Sequence, residues 1–118
     1  MEMTKCYKNR VPYDGGYLCC LILEYEVDKS TALQLIDEQG YPYATATVYS
    51  PETKYEVKNY DKTKHVAIKN YMENSGIDIA LTQAGILKKQ VGRITSGYVT
   101  IPIYELNTNP KDIMEINL

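Results

Sequence analysis

The sequence predicts an α+β fold, with a mainly antiparallel sheet of about four or five strands and one short helix packed on one face. Three observations predict it. Residues 33–49 have the pattern of a β-hairpin, residues 98–106 alternate like a strand, and residues 75–84 carry one apolar stripe at helical spacing. A chain of 118 residues fits a single domain, 1–118, with a modest core.

The N-terminal segment precedes the first predicted strand. Residues 1–16 are polar and contain a turn signal, Pro12 followed by Asp14-Gly15-Gly16, so we expect this terminus to be loose. The strand covers residues 17–27. Its apolar run LCCLIL suits a strand that is covered on both sides, or at least central, while the alternating end should emerge into solvent.

The hairpin is the clearest local signal. Leu33 and Leu35 begin its first strand, and residues 37–42, DEQGYP, supply a polar turn. The returning strand alternates, which places Ala44, Ala46 and Val48 on one face. The opposite face then carries Tyr43, Thr45, Thr47 and Tyr49. Next come a predicted loop at 50–64, with a short edge strand at 55–58, and a strand at 65–71.

The helix is predicted over residues 75–84. Asn74 or Ser75 is a suitable N-cap, and Asp78 in the first turn suits the helix dipole. Gly85 fits the position after the helix end, with Ile86 behind it. The apolar stripe consists of Ile77, Ala80, Leu81 and Ala84.

The C-terminal part is predicted as a basic connection at 88–97, a last strand at 98–106 and a loose tail at 107–118. In the strand, Val99, Ile101 and Ile103 should share one face. Pro102 has no N–H, which favours an edge strand.

Tyrosine is the most unusual feature of the composition, with 12 Tyr and neither Phe nor Trp. Each large aromatic ring must therefore place a hydroxyl in water or in a hydrogen bond. We expect an exposed surface formed by Tyr43, Tyr49, Tyr98 and Tyr104 to bind a protein partner. The alternative is that these rings form a second core layer or lie under the N-terminal segment.

Charge is nearly balanced overall, at −2, but unevenly distributed. Residues 14–38 are mostly acidic, residues 54–69 carry five lysines, and Lys88, Lys89 and Arg93 follow. These are either ordinary solvated faces or a bipolar contact surface. A nucleotide- or nucleic-acid-binding module is the alternative function, although the balanced charge argues against it. Its anion-binding residues would be Lys62, Lys64, Lys69 and Arg93.

Catalytic and metal-binding patterns are weak. His65 is the single histidine and is interpreted as a surface or strand residue, while adjacent Cys19 and Cys20 should point to opposite faces of a strand. Neither these residues nor Cys6 have metal-ligand spacing. We therefore expect no enzyme activity, no cofactor and no metal. An odd cysteine count without a signal peptide or membrane span indicates a cytoplasmic protein.

Three segments resemble a family of small uncharacterised proteins carried on bacterial conjugative elements and phages. They are LQLIDEQGYPYATATV, VAIKNYMENSGIDIALTQAGI and SGYVTIPIYEL, within residues 33–106. MENSG matches the family's middle motif only in part. The resemblance implies a mobile-element accessory protein that acts by stoichiometric binding, such as an anti-CRISPR or antirestriction inhibitor of host defence. It assigns no catalytic residue. A homo-oligomer formed through an exposed edge strand is a further expectation.

Overall fold

The computed structural model describes residues 3–118 and confirms an α+β fold built mostly of antiparallel sheet. The described chain contains two short helices, α1 (Thr53–Glu56) and α2 (Ile77–Gln83), and single 3-10 turns at Met72–Asn74 and Pro110–Asp112. Its strands are β1 (Met3–Tyr7), β2 (Val11–Tyr13), β3 (Gly16–Glu24), β4 (Thr31–Ile36), β5 (Pro42–Thr45), β6 (Thr47–Val48), β7 (His65–Ile68), β8 (Leu87–Ser96), β9 (Val99–Leu106) and β10 (Ile113–Asn117).

The strands form two sheets. A six-stranded sheet has the order β10-β1-β3-β4-β5, with β2 paired to β3, and a four-stranded sheet has the order β6-β7-β9-β8. The predicted number of four or five strands is therefore wrong, because several segments interpreted as loops or tails are strands. The central place of β3 agrees with its doubly apolar run.

Both termini differ from the loose segments that the sequence predicts. Strand β1 pairs along its whole length with β10, from Met3 opposite Asn117 to Tyr7 opposite Ile113. The Lys8 N–H extends this pairing by donating to the Asp112 carbonyl at 2.9 Å. The shortness of the two strands concealed the pairing, because each has only five residues in which to show alternation.

The predicted hairpin is present as β4 and β5, but its returning strand is broken at Ala46. The buried Ala46 donates its N–H to the Leu33 carbonyl at 2.9 Å, and its carbonyl accepts the Lys69 N–H at 2.8 Å. At this residue the chain therefore passes from the six-stranded sheet to the four-stranded sheet. The strict alternation fails as a result, and Thr47 is buried instead of exposed.

Helix α2 begins two residues later than predicted, at Ile77, and its N-cap is Gly76 with φ +83°. Neither predicted N-cap side chain caps it, because the Asn74 amide instead donates to the Thr45 carbonyl. The predicted helix end is confirmed. Gly85 has φ +79°, and the N–H groups of Gly85 and Ile86 donate to Thr82 and Leu81, which closes the last turn.

Three further segments differ from the prediction. The expected edge strand at 55–58 overlaps the end of helix α1, and no strand forms there. The expected basic connection at 88–97 is strand β8. Pro102 lies in β9, which has neighbours on both sides, but the pairing with β7 stops at Ile103, so Pro102 faces a partner only on β8.

The main core lies between the two sheets and is closed at one side by α2. It includes Leu33 and Leu35 from the six-stranded sheet, Val66 and Ile68 from the four-stranded sheet, and Leu81 from α2. The predicted helix stripe is confirmed, because Ile77, Ala80, Leu81 and Ala84 all belong to this core. None of the helices in residues 3–118 is both long enough and apolar enough to cross a membrane.

The two sheets differ on their outer faces. Helix α1 packs on β7 and β8, so the four-stranded sheet is covered there by the segment that includes Val57. The six-stranded sheet has a separate small cluster of Cys6, Leu21 and Ile36 on its outer side. Strand register places fourteen side chains on this face, which we call the outer face, and they are Thr4, Cys6, Pro12, Tyr17, Cys19, Leu21, Leu23, Ala32, Gln34, Ile36, Pro42, Thr45, Met114 and Ile116.

Candidate protein-binding groove

A groove of about 590 Å³ lies where the chain changes sheets. Residues 43–49 form one side, and the segment after β7 forms the other. We call it the tyrosine groove, and its lining residues are Tyr43, Ala44, Thr45, Thr47, Val48, Tyr49, Lys69, Tyr71, Glu73 and Asn74.

Hydrogen bonds fix the two sides of the groove to each other. Asn74 is 2% exposed, and its side-chain amide donates to the Thr45 carbonyl at 2.8 Å. The Tyr13 hydroxyl lies 2.9 Å from the Ser75 carbonyl and 3.2 Å from that of Glu73, so it donates to the same segment from β2. These contacts preform the groove, because a buried amide without its acceptor would lose about 1–3 kcal/mol.

The tyrosine rings are held from below and from the side. Tyr49 packs edge-on against Tyr25, with ring centroids 5.1 Å apart, and the hydroxyls of Tyr25 and Thr47 are 2.9 Å apart. Burial raises the pKa of Tyr25. The Tyr43 hydroxyl donates to the Asp14 carboxylate, and this hydrogen bond raises the pKa of Tyr43. The exposed ring faces therefore stand in fixed positions with neutral hydroxyls.

Two opposite charges line the same groove. The Lys69 ammonium lies 2.5 Å from a Glu73 carboxylate oxygen and 5.8 Å from the centre of the Tyr71 ring. The hydrogen bond between the two charged groups raises the pKa of Lys69 and lowers that of Glu73, so both stay ionised near neutral pH. The groove thus combines aromatic area with one donor and one acceptor of full charge, which suits recognition of another protein.

The four predicted interface tyrosines do not form one surface. Tyr43 and Tyr49 line the groove and are 46% and 37% exposed. Tyr98 lies outside this lining, fully exposed at the turn between β8 and β9. Tyr104 packs against the main core and donates its hydroxyl to Asp78 at 3.2 Å, as the core-layer alternative predicts.

Sequence analysis missed three lining residues that follow β7, namely Tyr71, Glu73 and Asn74. Tyr71 stood at the end of a predicted strand, although β7 already ends at Ile68. Met72 then adopts φ +56°, which turns the chain toward the groove, and no residue pattern signals a left-handed methionine. The only usable signal was Asn74, a polar residue whose short side chain bonds readily to nearby backbone.

The four predicted anion-binding cations are dispersed. Lys62 and Lys64 lie together beside Tyr60, and the Lys62 ammonium donates to the Asp28 carbonyl at 2.7 Å. Lys69 belongs to the tyrosine groove. Arg93 pairs with Pro102 on β9, whereas Lys64 bonds Leu106, four residues further along that strand and therefore about 13 Å away. These four side chains therefore do not converge on one point, as a shared anion-binding site would require.

His65 lies in a strand, as one reading of the sequence predicts, but it is 7% exposed and does not lie on the surface. Its Nδ1 accepts the Asp61 N–H at 2.9 Å, and its ring stacks on Tyr60 at 5.9 Å. Burial, followed by the nearby Lys64 charge, lowers its pKa. These contacts give His65 a structural role.

Within residues 3–118, no cluster of three or more histidine, cysteine, aspartate or glutamate side chains has the geometry of a metal site. The three cysteines are free thiols, and Cys19 and Cys20 pair with successive residues of β4, which places them on opposite faces as predicted. Comparison with protein-family models, curated proteins and solved structures gives no match to this chain. The similarity to mobile-element proteins therefore stays a prediction.

Proposed function

We propose that this chain is a non-enzymatic protein-binding module that contacts its partner through the tyrosine groove. The observation that carries this proposal is the set of partly exposed tyrosines, Tyr43, Tyr49 and Tyr71, around the Lys69–Glu73 pair. Tyrosine provides large contact area with few rotatable bonds, so little entropy is lost when it is covered. Two of these rings are already fixed by Asp14 and Tyr25 in the unbound chain.

The test uses two double variants that each remove two exposed tyrosine rings. Tyr43→Ala with Tyr49→Ala alters the groove, whereas Tyr55→Ala with Tyr98→Ala removes rings that are 77% and 108% exposed and lie outside it. Tagged proteins are used to capture partners from nuclease-treated bacterial lysate, and recovery is quantified by mass spectrometry. We expect one protein to be recovered in stoichiometric amount by the wild type and the control, and at least tenfold less by the groove variant.

Equal recovery by both variants would contradict the groove as the contact surface. Loss of the partner on nuclease treatment of the wild-type sample would contradict protein binding and favour the nucleic-acid alternative. Circular dichroism of each variant confirms that any loss of binding is not a loss of folding.

We also propose that the partner is a host defence protein, as the resemblance to mobile-element proteins implies. The wild type and the groove variant are expressed in bacteria that carry a restriction or CRISPR system, and phage plaques are counted. The wild type should raise plaque number and the groove variant should not. Unchanged plaque numbers with the wild type, together with capture of a partner unrelated to defence, would contradict the proposal that the partner is a host defence protein. The proposed protein-binding role of the groove would not be affected.

A further inference from the structure

Among the residues that the structure describes, no strand position on the outer face of the six-stranded sheet carries a charged side chain. Its fourteen positions are nine apolar residues, two prolines and the uncharged Thr4, Gln34 and Thr45. The opposite face of the same strands carries Lys5, Glu24 and Glu115 where it extends beyond the core. Both helices pack elsewhere, α1 on β7 and β8 and α2 on β2 and β8.

This pattern is unusual for an antiparallel sheet in water. Such sheets bury one face and alternate with polar residues on the other. Here the centre of the outer face is apolar and closely packed, with Leu21 4% and Ile36 6% exposed, and larger side chains stand around it. Tyr17, Leu23 and Met114 remain 61%, 38% and 40% exposed. The exposed apolar area of this face therefore lies around a buried centre, and a partner would contact it through these three side chains.

Two of the three uncharged polar residues on the outer face, Gln34 and Thr45, have partners before anything covers them. The Gln34 side-chain amide donates to the carbonyls of Leu35 and Ala44, both at 3.0 Å. Its oxygen accepts the Thr45 hydroxyl at 2.8 Å. Covering these two residues therefore leaves no buried polar group without a partner, which removes the main cost of burying them.

We propose that the outer face binds a second copy of this chain, so that two six-stranded sheets pack face to face about a two-fold axis. Burial of an unpaired charge is costly, so an uncharged face selects an uncharged apolar partner surface. The outer face meets that requirement itself, and in a two-fold dimer each copy offers the same surface to the other. Twisted sheets pack in this way about 10 Å apart, at an angle near −30°.

The area of the face sets the strength of the dimer. Five adjacent strands at about 4.8 Å spacing and about five residues of each strand give a footprint of roughly 400 Å² per copy. Two copies together bury on the order of 800 Å², which is less than the value of about 1,000 Å² expected of a specific stable interface and fits only a weak, transient contact. The dimer should therefore dissociate in the micromolar range or above, and the monomer should be folded. A net charge of −2 per chain adds little repulsion.

The experiment is analytical ultracentrifugation of the full chain from 5 µM to 1 mM, with Leu23→Lys as the interface variant and Ile79→Lys as its control. Both residues are exposed, 38% and 61%, and Ile79 lies on α2, away from the outer face. We expect the wild type and Ile79→Lys to shift from 13.5 kDa toward twice that mass with concentration. Leu23→Lys should dimerise at least tenfold more weakly, and Met114→Lys gives an independent second variant.

A wild type that stays monomeric at 1 mM would overturn the proposal, as would a dimer that both Leu23→Lys and Met114→Lys leave unchanged. Concentration-dependent amide shifts in an NMR spectrum identify the residues that form the contact between the two copies. Shifts confined to the strands of the outer face, β1, β2, β3, β4, β5 and β10, support the dimer, and shifts centred on Lys69 and Tyr71 at the far side of the tyrosine groove contradict it. The proposed function concerns the groove, so the tyrosine double variant should still dimerise, and the two proposals can fail separately.

Discussion

The apolar residues on the outer faces of the two sheets are covered to different extents. On the four-stranded sheet, Ile103 is fully buried, because the chain itself returns over it through α1 and Val57. On the six-stranded sheet, the apolar residues around Leu21 have no such cover, and Leu23 remains 38% exposed. One face is therefore covered by the chain itself, whereas the other has a buried apolar centre at Leu21 and Ile36 and exposed apolar side chains around it.

This difference separates stability from binding. Residues under α1 should contribute strongly to the free energy of unfolding and little to association. The exposed residues on the outer face of the six-stranded sheet, Tyr17, Leu23 and Met114, should show the reverse, because solvent already reaches their side chains. Substitutions on each face test this separation through their effects on the free energy of unfolding and on dimerisation.

Ile103→Ala should lower the free energy of unfolding by about 2–5 kcal/mol, because it leaves a cavity between β9 and α1. The matched change on the other sheet, Leu23→Ala, should cost less than about 1 kcal/mol, since the side chain is already partly in water. Urea unfolding below the dimerisation range measures both. Similar losses for the two variants would show that the faces are equally buried in solution and would contradict the comparison.

Gly92→Ala tests how closely the cover fits. A Cβ at Gly92 would lie 3.0 Å from the Glu56 carbonyl oxygen and 3.6 Å from a Val57 methyl, so α1 must move outward. Overpacking of this kind costs about 1–3 kcal/mol. Gly16→Ala is the control, because a Cβ there meets no atom within 4 Å. Faster amide exchange over residues 53–57 should accompany the loss in the first variant and be absent in the second.

The sequence predicted local features well where one segment holds the whole signal. The turn Asp37–Pro42 and the helix end at Gly85 depend on residue type at a few neighbouring positions, and both are present. The number of strands was wrong because pairing partners such as β1 and β10 are separated by the whole chain. Five residues with three apolar side chains, which do not alternate strictly in either strand, give no periodic signal until the partner strand is known.

The groove was predicted in part for the same reason. Tyr43 and Tyr49 alternate within one segment and were found, whereas Tyr71 reaches them only through the turn at Met72. The outer face could not be predicted from the sequence for a different reason. The run LCCLIL showed that β3 is apolar on both sides, but the sequence does not state which of two apolar faces the rest of the chain will cover.

The smallest expected effect is a pH dependence that acts on one face only. His65 lies on the covered side of β7, opposite Glu105, with Lys64 and Asp61 beside it, and its pKa is lowered chiefly by burial. The unfolded chain therefore binds this proton more readily than the folded chain. Stability should be unaffected above about pH 7.5 and should fall as the pH decreases through the ordinary histidine pKa of about 6.5.

One proton limits this slope to about 1.4 kcal/mol per pH unit. His65→Gln should remove it between pH 7.5 and 5.5, where Asp61 and Glu105, whose pKa values are lowered, stay ionised. An equal slope in the wild type and the variant would assign the effect to other groups. Within residues 3–118, the strand positions of the outer face include no histidine or carboxylate, so its dimerisation constant should stay the same over this range. Stability that changes with pH while association does not would separate the two faces by a single titration.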